Sequence, residues 1–120
     1  MPNRELFAQA PEYYSTLFHE LVHSTGHRSR LARKGIESGS ARYGSPTYSR
    51  EELVAEMGAA YLCGRAQIEK ATLENSAAYI RGWIAKLRGD ASLAVKAAGA
   101  AQRASDFILK SQPTGEQKAA

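Results

Sequence analysis

The stretch FHELVHSTGH, residues 18–27, gathers all three histidines of a 120-residue chain at i, i+4 and i+8. On a helix, residues four apart share a face, so His19 and His23 can turn both imidazoles toward one point while Glu20 stands beside it. Zinc takes such nitrogen ligands. In a catalytic site, three protein ligands leave a fourth position for water, whose pKa falls toward neutrality, and a neighbouring carboxylate can accept its proton. The spacing therefore makes His19 and His23 candidate metal ligands and Glu20 the candidate base. His27 lies one further turn along, about 6 Å in rise, too far to join them on one ion. It reads as a polar residue at the helix end. The longer pattern H-E-x-x-H-x-x-G-x-x-H finds its glycine at Gly26 but meets Ser29 at its last position.

Around this motif the chain reads as mainly α. Pro11 suits a first helical turn, and Tyr14, Leu17, Phe18, Leu21 and Val22 recur at helical spacing, which predicts a helix over about 11–26 with Gly26 near its end. Residues 28–48, rich in glycine, serine and cations, read as an irregular connection. Ser49 and Glu52 have the form of a capping box, and Leu53, Met57, Ala60 and Tyr61 follow as an apolar stripe, so a second helix is predicted over about 49–66. A third, over about 75–88, buries Tyr79, Ile80, Trp83, Ile84 and Leu87. Gly89 stops it and Asp90 caps a fourth over 91–109, with Leu93, Val95, Ala98, Phe107 and Ile108 toward the core. One domain, 1–110, is followed by a flexible tail, 111–120. There is no repeat, phosphate-binding glycine loop or period-2 strand.

The candidate site needs a third ligand. In SREELVAEMGAAYLCG, residues 49–64, Glu52 and Glu56 share a face with Ala59, Ala60 and Cys63, small residues that let this helix approach the histidine helix closely. Glu51 is rotated from that face by about 100°. An acidic side chain in a tight helix contact is costly unless paired or metal-bound, which favours Glu52 as ligand and Glu56 as acceptor of a ligand histidine's free N–H. The competing reading is that Glu51 and Glu52 simply suit the helix N-terminus, with Glu52 closing the capping box.

Composition sets the surroundings. At 43% apolar residues the chain can bury a core without disulfides, and the lone Cys63 reads as a small core residue. Neither a leader nor an apolar run of membrane-spanning length is legible, so the expected location is the cytoplasm, with no membrane partner. A net charge of +4 permits loose attraction to nucleic acid without naming a partner. Arg28, Arg30, Arg33, Lys34 and Arg42 read as a solvated or substrate-rim loop, and Tyr43 and Tyr48 as packing or exposed residues that could otherwise reach the metal cleft.

YYSTLFHELVHSTGH, YSREELVAEMGAAYL and AAYIRGWIAKLRGD together resemble the C-terminal zincin-like metallopeptidase domain of ArdC-type antirestriction proteins, found also in polyvalent proteins of plasmids and phages. The likeness runs from about Pro2 to Leu109. It implies a gluzincin-type zinc site (another divalent metal such as manganese being the alternative), with His19 and His23 as ligands and Glu20 as catalytic acid/base. The third ligand is a glutamate of the EELVAE block; related regulators place it six residues before a GAA segment, here Gly58–Ala60, which selects Glu52. The implied activity is hydrolysis of amide bonds in a protein substrate, serving antirestriction during plasmid or phage transfer. Relatives carry a β-sheet before the metal helix and an N-terminal domain that binds single-stranded DNA. This sequence lacks both, so the expected fold is a four-helix zincin-like fragment prone to self-association, with any DNA association residing in the missing domain. The rival reading is a non-catalytic, metal-stabilised interaction or DNA-binding module.

Overall fold

The computed structural model describes residues 1–33, 45–87 and 91–110. After a short 3-10 turn, Arg4–Leu6, come four α-helices: α1 (Ala10–Ser24), α2 (Pro46–Arg65), α3 (Glu69–Lys86) and α4 (Ala91–Leu109). No strand occurs among the described residues, so the fold is all-helical, as the sequence predicts. Tyr43, Gly89, Asp90 and the tail 111–120 lie outside the described residues.

The helix ends follow local chemistry. Gln9 enters α1 in extended conformation ahead of Pro11. At the other end the Thr25 hydroxyl donates to the Val22 carbonyl at 2.6 Å and the Gly26 N–H to the His23 carbonyl, so the helix closes two residues before the predicted end. α2 starts earlier than the Ser49 capping box suggests. Its N-cap is Ser45, whose side chain accepts the Tyr48 N–H, and Pro46 takes the first position, where a missing N–H costs nothing. Ser49 is instead buried inside the helix. α3 begins at Glu69, six residues ahead of Asn75, after a tight turn in which Gln67 takes φ 64 and the Ile68 N–H reaches the Cys63 carbonyl. Its early turns bury Thr72 and Ser76, a polar pair that hydrophobic periodicity does not register.

α2 is the central element and packs against α1, α3 and α4. Residues around much of its circumference are buried, including Leu53, Val54, Ala55, Ala59, Leu62 and Cys63. With Val22 of α1, Leu87, and Ala97, Ala101 and Ala104 of α4, they form the core. α1 and α2 approach closely at Gly58, where a Cβ would stand 2.7 Å from Val22 Cγ2. Glycine is required there for proximity. Three residues expected in the core are exposed: Tyr79 at 59%, Val95 at 72% and Phe107 at 42%. Ala97, Ala101 and Ala104 of α4 take the core positions that Val95 and Phe107 were expected to fill.

Candidate metal centre

The contact between α1 and α2 that Val22 and Gly58 bring close also carries the polar residues of the motif. His19 and His23, one turn apart on α1, have their Nε2 atoms 3.1 Å from each other. Glu52 of α2 faces both, with Oε2 at 2.9 Å from His23 Nε2 and Oε1 at 3.4 Å from His19 Nε2. Two ligands held about 2.0–2.1 Å from one ion at the tetrahedral angle stand roughly 3.3 Å apart. The three observed separations match the edges of such a site, and His19, His23 and Glu52 form a group able to hold a metal ion.

The outward nitrogens are held as well. His23 Nδ1 lies 2.8 Å from Glu51 Oε2 and His19 Nδ1 lies 3.3 Å from Glu56 Oε2. A carboxylate can only accept, so each Nδ1 is placed to donate to its glutamate, which leaves the inward-facing Nε2 atoms as the nitrogens able to coordinate once they lose their protons. Glu56 thus stands where the sequence reading puts it. Glu51 does not lie idle at the helix N-terminus: it is 6% exposed and grips both His23 and Arg33. Arg33 is likewise no rim residue. Its Nε and Nη2 donate to the two Glu51 oxygens at 2.8 and 2.9 Å, Nη1 to the Thr25 hydroxyl and Nη2 also to the Val22 carbonyl. The chain returns it to the site through a turn in which Ala32 takes φ 50 and the Arg33 N–H donates to the Gly26 carbonyl.

Electrostatics follow from this arrangement. Burial lowers the His19 pKa, but hydrogen bonds to Glu52 and Glu56 outweigh it and raise the group to about 10. Burial is likewise overcome at His23, which Glu51 and Glu52 raise to about 9. Burial pushes Glu52 up, yet the two histidines hold it at about 2; Glu51, also pushed up by burial, is kept below the usual carboxylate range by Arg33 and then His23. Three carboxylates, Glu51, Glu52 and Glu56, against the single guanidinium of Arg33 leave two negative charges around the imidazoles. One divalent cation neutralises that charge, and so do two protons. The donor set and its charge fit zinc.

Glu20 is exposed and lines a cleft of about 540 Å³ together with His19, Glu52 and Glu56. Phe7, Tyr79 and Trp83 form its aromatic lining. Trp83, expected in the core, packs against it and also borders this opening. Tyr48 meets the Trp83 ring edge-on at 5.8 Å between centroids. His27 stands apart, its Nδ1 2.8 Å from the Ser29 hydroxyl. Cys63 is fully buried. The site residues missed in the sequence, Glu51 and Arg33, offered a faint signal: a second glutamate directly before the candidate ligand, and an arginine within reach of the α1 end.

Comparison with known proteins bears on the family. Residues 1–100 match the family described as zincin-like metallopeptidase. The chain is 32% identical over 117 residues to the uncharacterized protein y4eC of Sinorhizobium fredii, covering 98% of this chain and 37% of that protein. It is 37% and 34% identical over 109 residues to two Escherichia coli proteins named DNA primase TraC, covering 91% of this chain but only 10% and 7% of theirs. The chain thus spans little more than a third of the first relative and a tenth or less of the others. No solved structure matches it. Matched by the family model over residues 1–100, with His19, His23 and Glu52 on two packed helices forming a group able to hold a metal, this chain belongs to the zincin-like metallopeptidase family.

Proposed function

We propose that the chain is a zinc-dependent metallopeptidase domain of gluzincin type, in which His19, His23 and Glu52 hold one ion and Glu20 is the catalytic base. The observation that carries this reading is the convergence of three donor atoms within 4.8 Å of one another, bordering an open cleft that Glu20 also lines. Bound zinc supplies Lewis acidity toward a scissile carbonyl and toward water. The protein does the remaining work. Glu51 and Glu56 fix the imidazole orientations, Glu20 takes a proton from the attacking water and returns it to the departing amide nitrogen, and the cleft receives the chain to be cut. Manganese is the alternative ion.

The substrate is a protein, and the biological role is antirestriction during transfer of plasmid or phage DNA, which the resemblance to ArdC-type domains supports. The priming of DNA that names the TraC relatives belongs to proteins of which this chain matches a tenth or less. DNA association, where present, resides in a domain outside this sequence, and self-association covers apolar side chains such as Leu73 and Val95, which are 62% and 72% exposed.

The test is metal content alongside cleavage of an unfolded protein. The wild-type chain should retain one zinc and cleave, and Glu20→Gln should retain zinc without cleaving. Zinc retained with no cleavage by either would instead favour a metal-stabilised interaction module. Stoichiometric zinc in a His19→Ala/His23→Ala variant would overturn the site itself.

A further inference from the structure

The cleft beside the metal centre is lined by carboxylates of one sign: Glu12, Glu20, Glu52 and Glu56. Among the described residues no lysine or arginine lines it, in a chain whose overall charge is +4. Glu52 and Glu56 are engaged with His19, and an ion at the triad would compensate them. Glu12 and Glu20 are not compensated, because no lysine, arginine or histidine among the described residues pairs with either. They stand eight positions apart on α1, about 12 Å along its axis, and both border this cleft. Between them Thr16 donates its hydroxyl to the Glu12 carbonyl and is held against the helix. Phe7, Tyr79 and Trp83 bound the same opening. Lys86 Nζ already lies over the Trp83 ring at 5.4 Å from its centroid, an instance within this chain of the cation–aromatic contact that a basic peptide side chain could make with the other rings.

From this we infer that the cleft selects peptides carrying lysine or arginine near the reacting bond, with Glu12 as the specificity-determining carboxylate. The inference deepens the peptidase reading and rests on that reading for its catalytic half alone. A low-dielectric groove of one charge sign concentrates ligands of the opposite sign and repels those of its own. Glu20, needed for proton transfer, marks the catalytic end of the groove, and Glu12 marks the end two turns, about 12 Å, toward the start of α1. A basic side chain reaching Glu12 leaves the backbone of a neighbouring residue beside the metal centre, which places the preference a few residues from the cut rather than at it.

Trp83 is the only tryptophan of the chain, so its fluorescence reports occupancy of the cleft independently of turnover. The experiment uses zinc-loaded Glu20→Gln protein and three decapeptides that differ only in carrying lysine, glutamine or glutamate at every third position. The lysine peptide should bind roughly tenfold more tightly than the glutamate peptide at low salt, and the gap should narrow in high salt. Adding Glu12→Gln should reduce the preference about fivefold, and Glu12→Lys should remove or invert it. In the wild-type background the same substitutions should raise KM for lysine peptides more than they lower kcat. Equal binding of all three peptides, or a preference that survives Glu12→Lys, overturns the inference. Selective binding without cleavage by the wild-type chain would sustain it while refuting the peptidase reading.

Discussion

Arg33 meets Glu51 in a two-pronged ion pair, Nε to Oε1 at 2.8 Å and Nη2 to Oε2 at 2.9 Å, and the same carboxylate accepts a hydrogen bond from His23. The pair holds a histidine without touching the ion that the histidine would bind. Glu51→Ala should therefore weaken zinc affinity 10- to 100-fold although Glu51 is no ligand, and Arg33→Ala should do so to a lesser degree. Because Glu51 is nearly fully buried, Arg33→Ala should also cost on the order of 3 kcal/mol in unfolding free energy. Zinc titration and denaturant melts of the two variants check both statements; unchanged affinity in Glu51→Ala would remove the orienting role.

Glu52 and Glu51 are neighbours with different duties, so their amide variants should separate. Glu52→Gln should lower zinc affinity more than Glu51→Gln, since the first exchanges a charged ligand for a neutral one and the second leaves the ligand set intact. Competition with a chromophoric chelator gives the ranking. The reverse order would make Glu51 the ligand.

Metal uptake should depend on pH over an unusually high range. Without metal, His19 and His23 titrate at about 10 and about 9, above the ordinary 6.5, so both protons must leave before the Nε2 atoms can coordinate. Affinity should keep climbing with pH through neutrality toward 9–10 rather than levelling just above 6.5. Linkage gives the metal-free fold the opposite trend. The histidine contribution is fully present below 6.5 and is lost as pH rises through about 9 and 10; that of Glu52 is present above 4.5 and is lost as pH falls toward about 2. Melting temperatures with chelator should peak between about 4.5 and 6.5, and zinc should move the optimum upward.

Gly58→Ala should destabilise by about 1–3 kcal/mol, because the new methyl group meets Val22 at 2.7 Å and one helix must move. Val22 precedes His23, so the displacement should also reduce zinc affinity. Combining Gly58→Ala with Val22→Ala should recover part of the loss in a double-mutant cycle. Additive effects would mean that the two side chains do not compete for the same space.

The histidine motif and the four helices are legible in the sequence because each rests on local periodicity. His19, His23 and Glu52 come together as the helical faces predict. What escapes is whatever depends on α2 being central. A helix covered by three neighbours has no single apolar stripe, so Glu51, rotated away from Glu52, looks solvent-facing while it is buried against α1 and Arg33. Arg33 escapes for a different reason: a turn through left-handed Ala32 brings it home, and no periodicity announces such a turn. The early start of α3 is hidden because its first buried residues are Thr72 and Ser76 rather than apolar ones.

The candidate ligands lie on two helices, and Glu52 follows His23 by 29 positions. An ion shared between them closes a long loop of chain in the same way as a covalent cross-link, removing disorder from the unfolded ensemble worth roughly 3–4 kcal/mol if the link were permanent. Unlike a disulfide, such a link would need no oxidising compartment and would be undone by a chelating competitor. The supply of metal would then govern how long the folded chain survives cellular proteases as well as whether it can act, making its abundance a record of zinc availability.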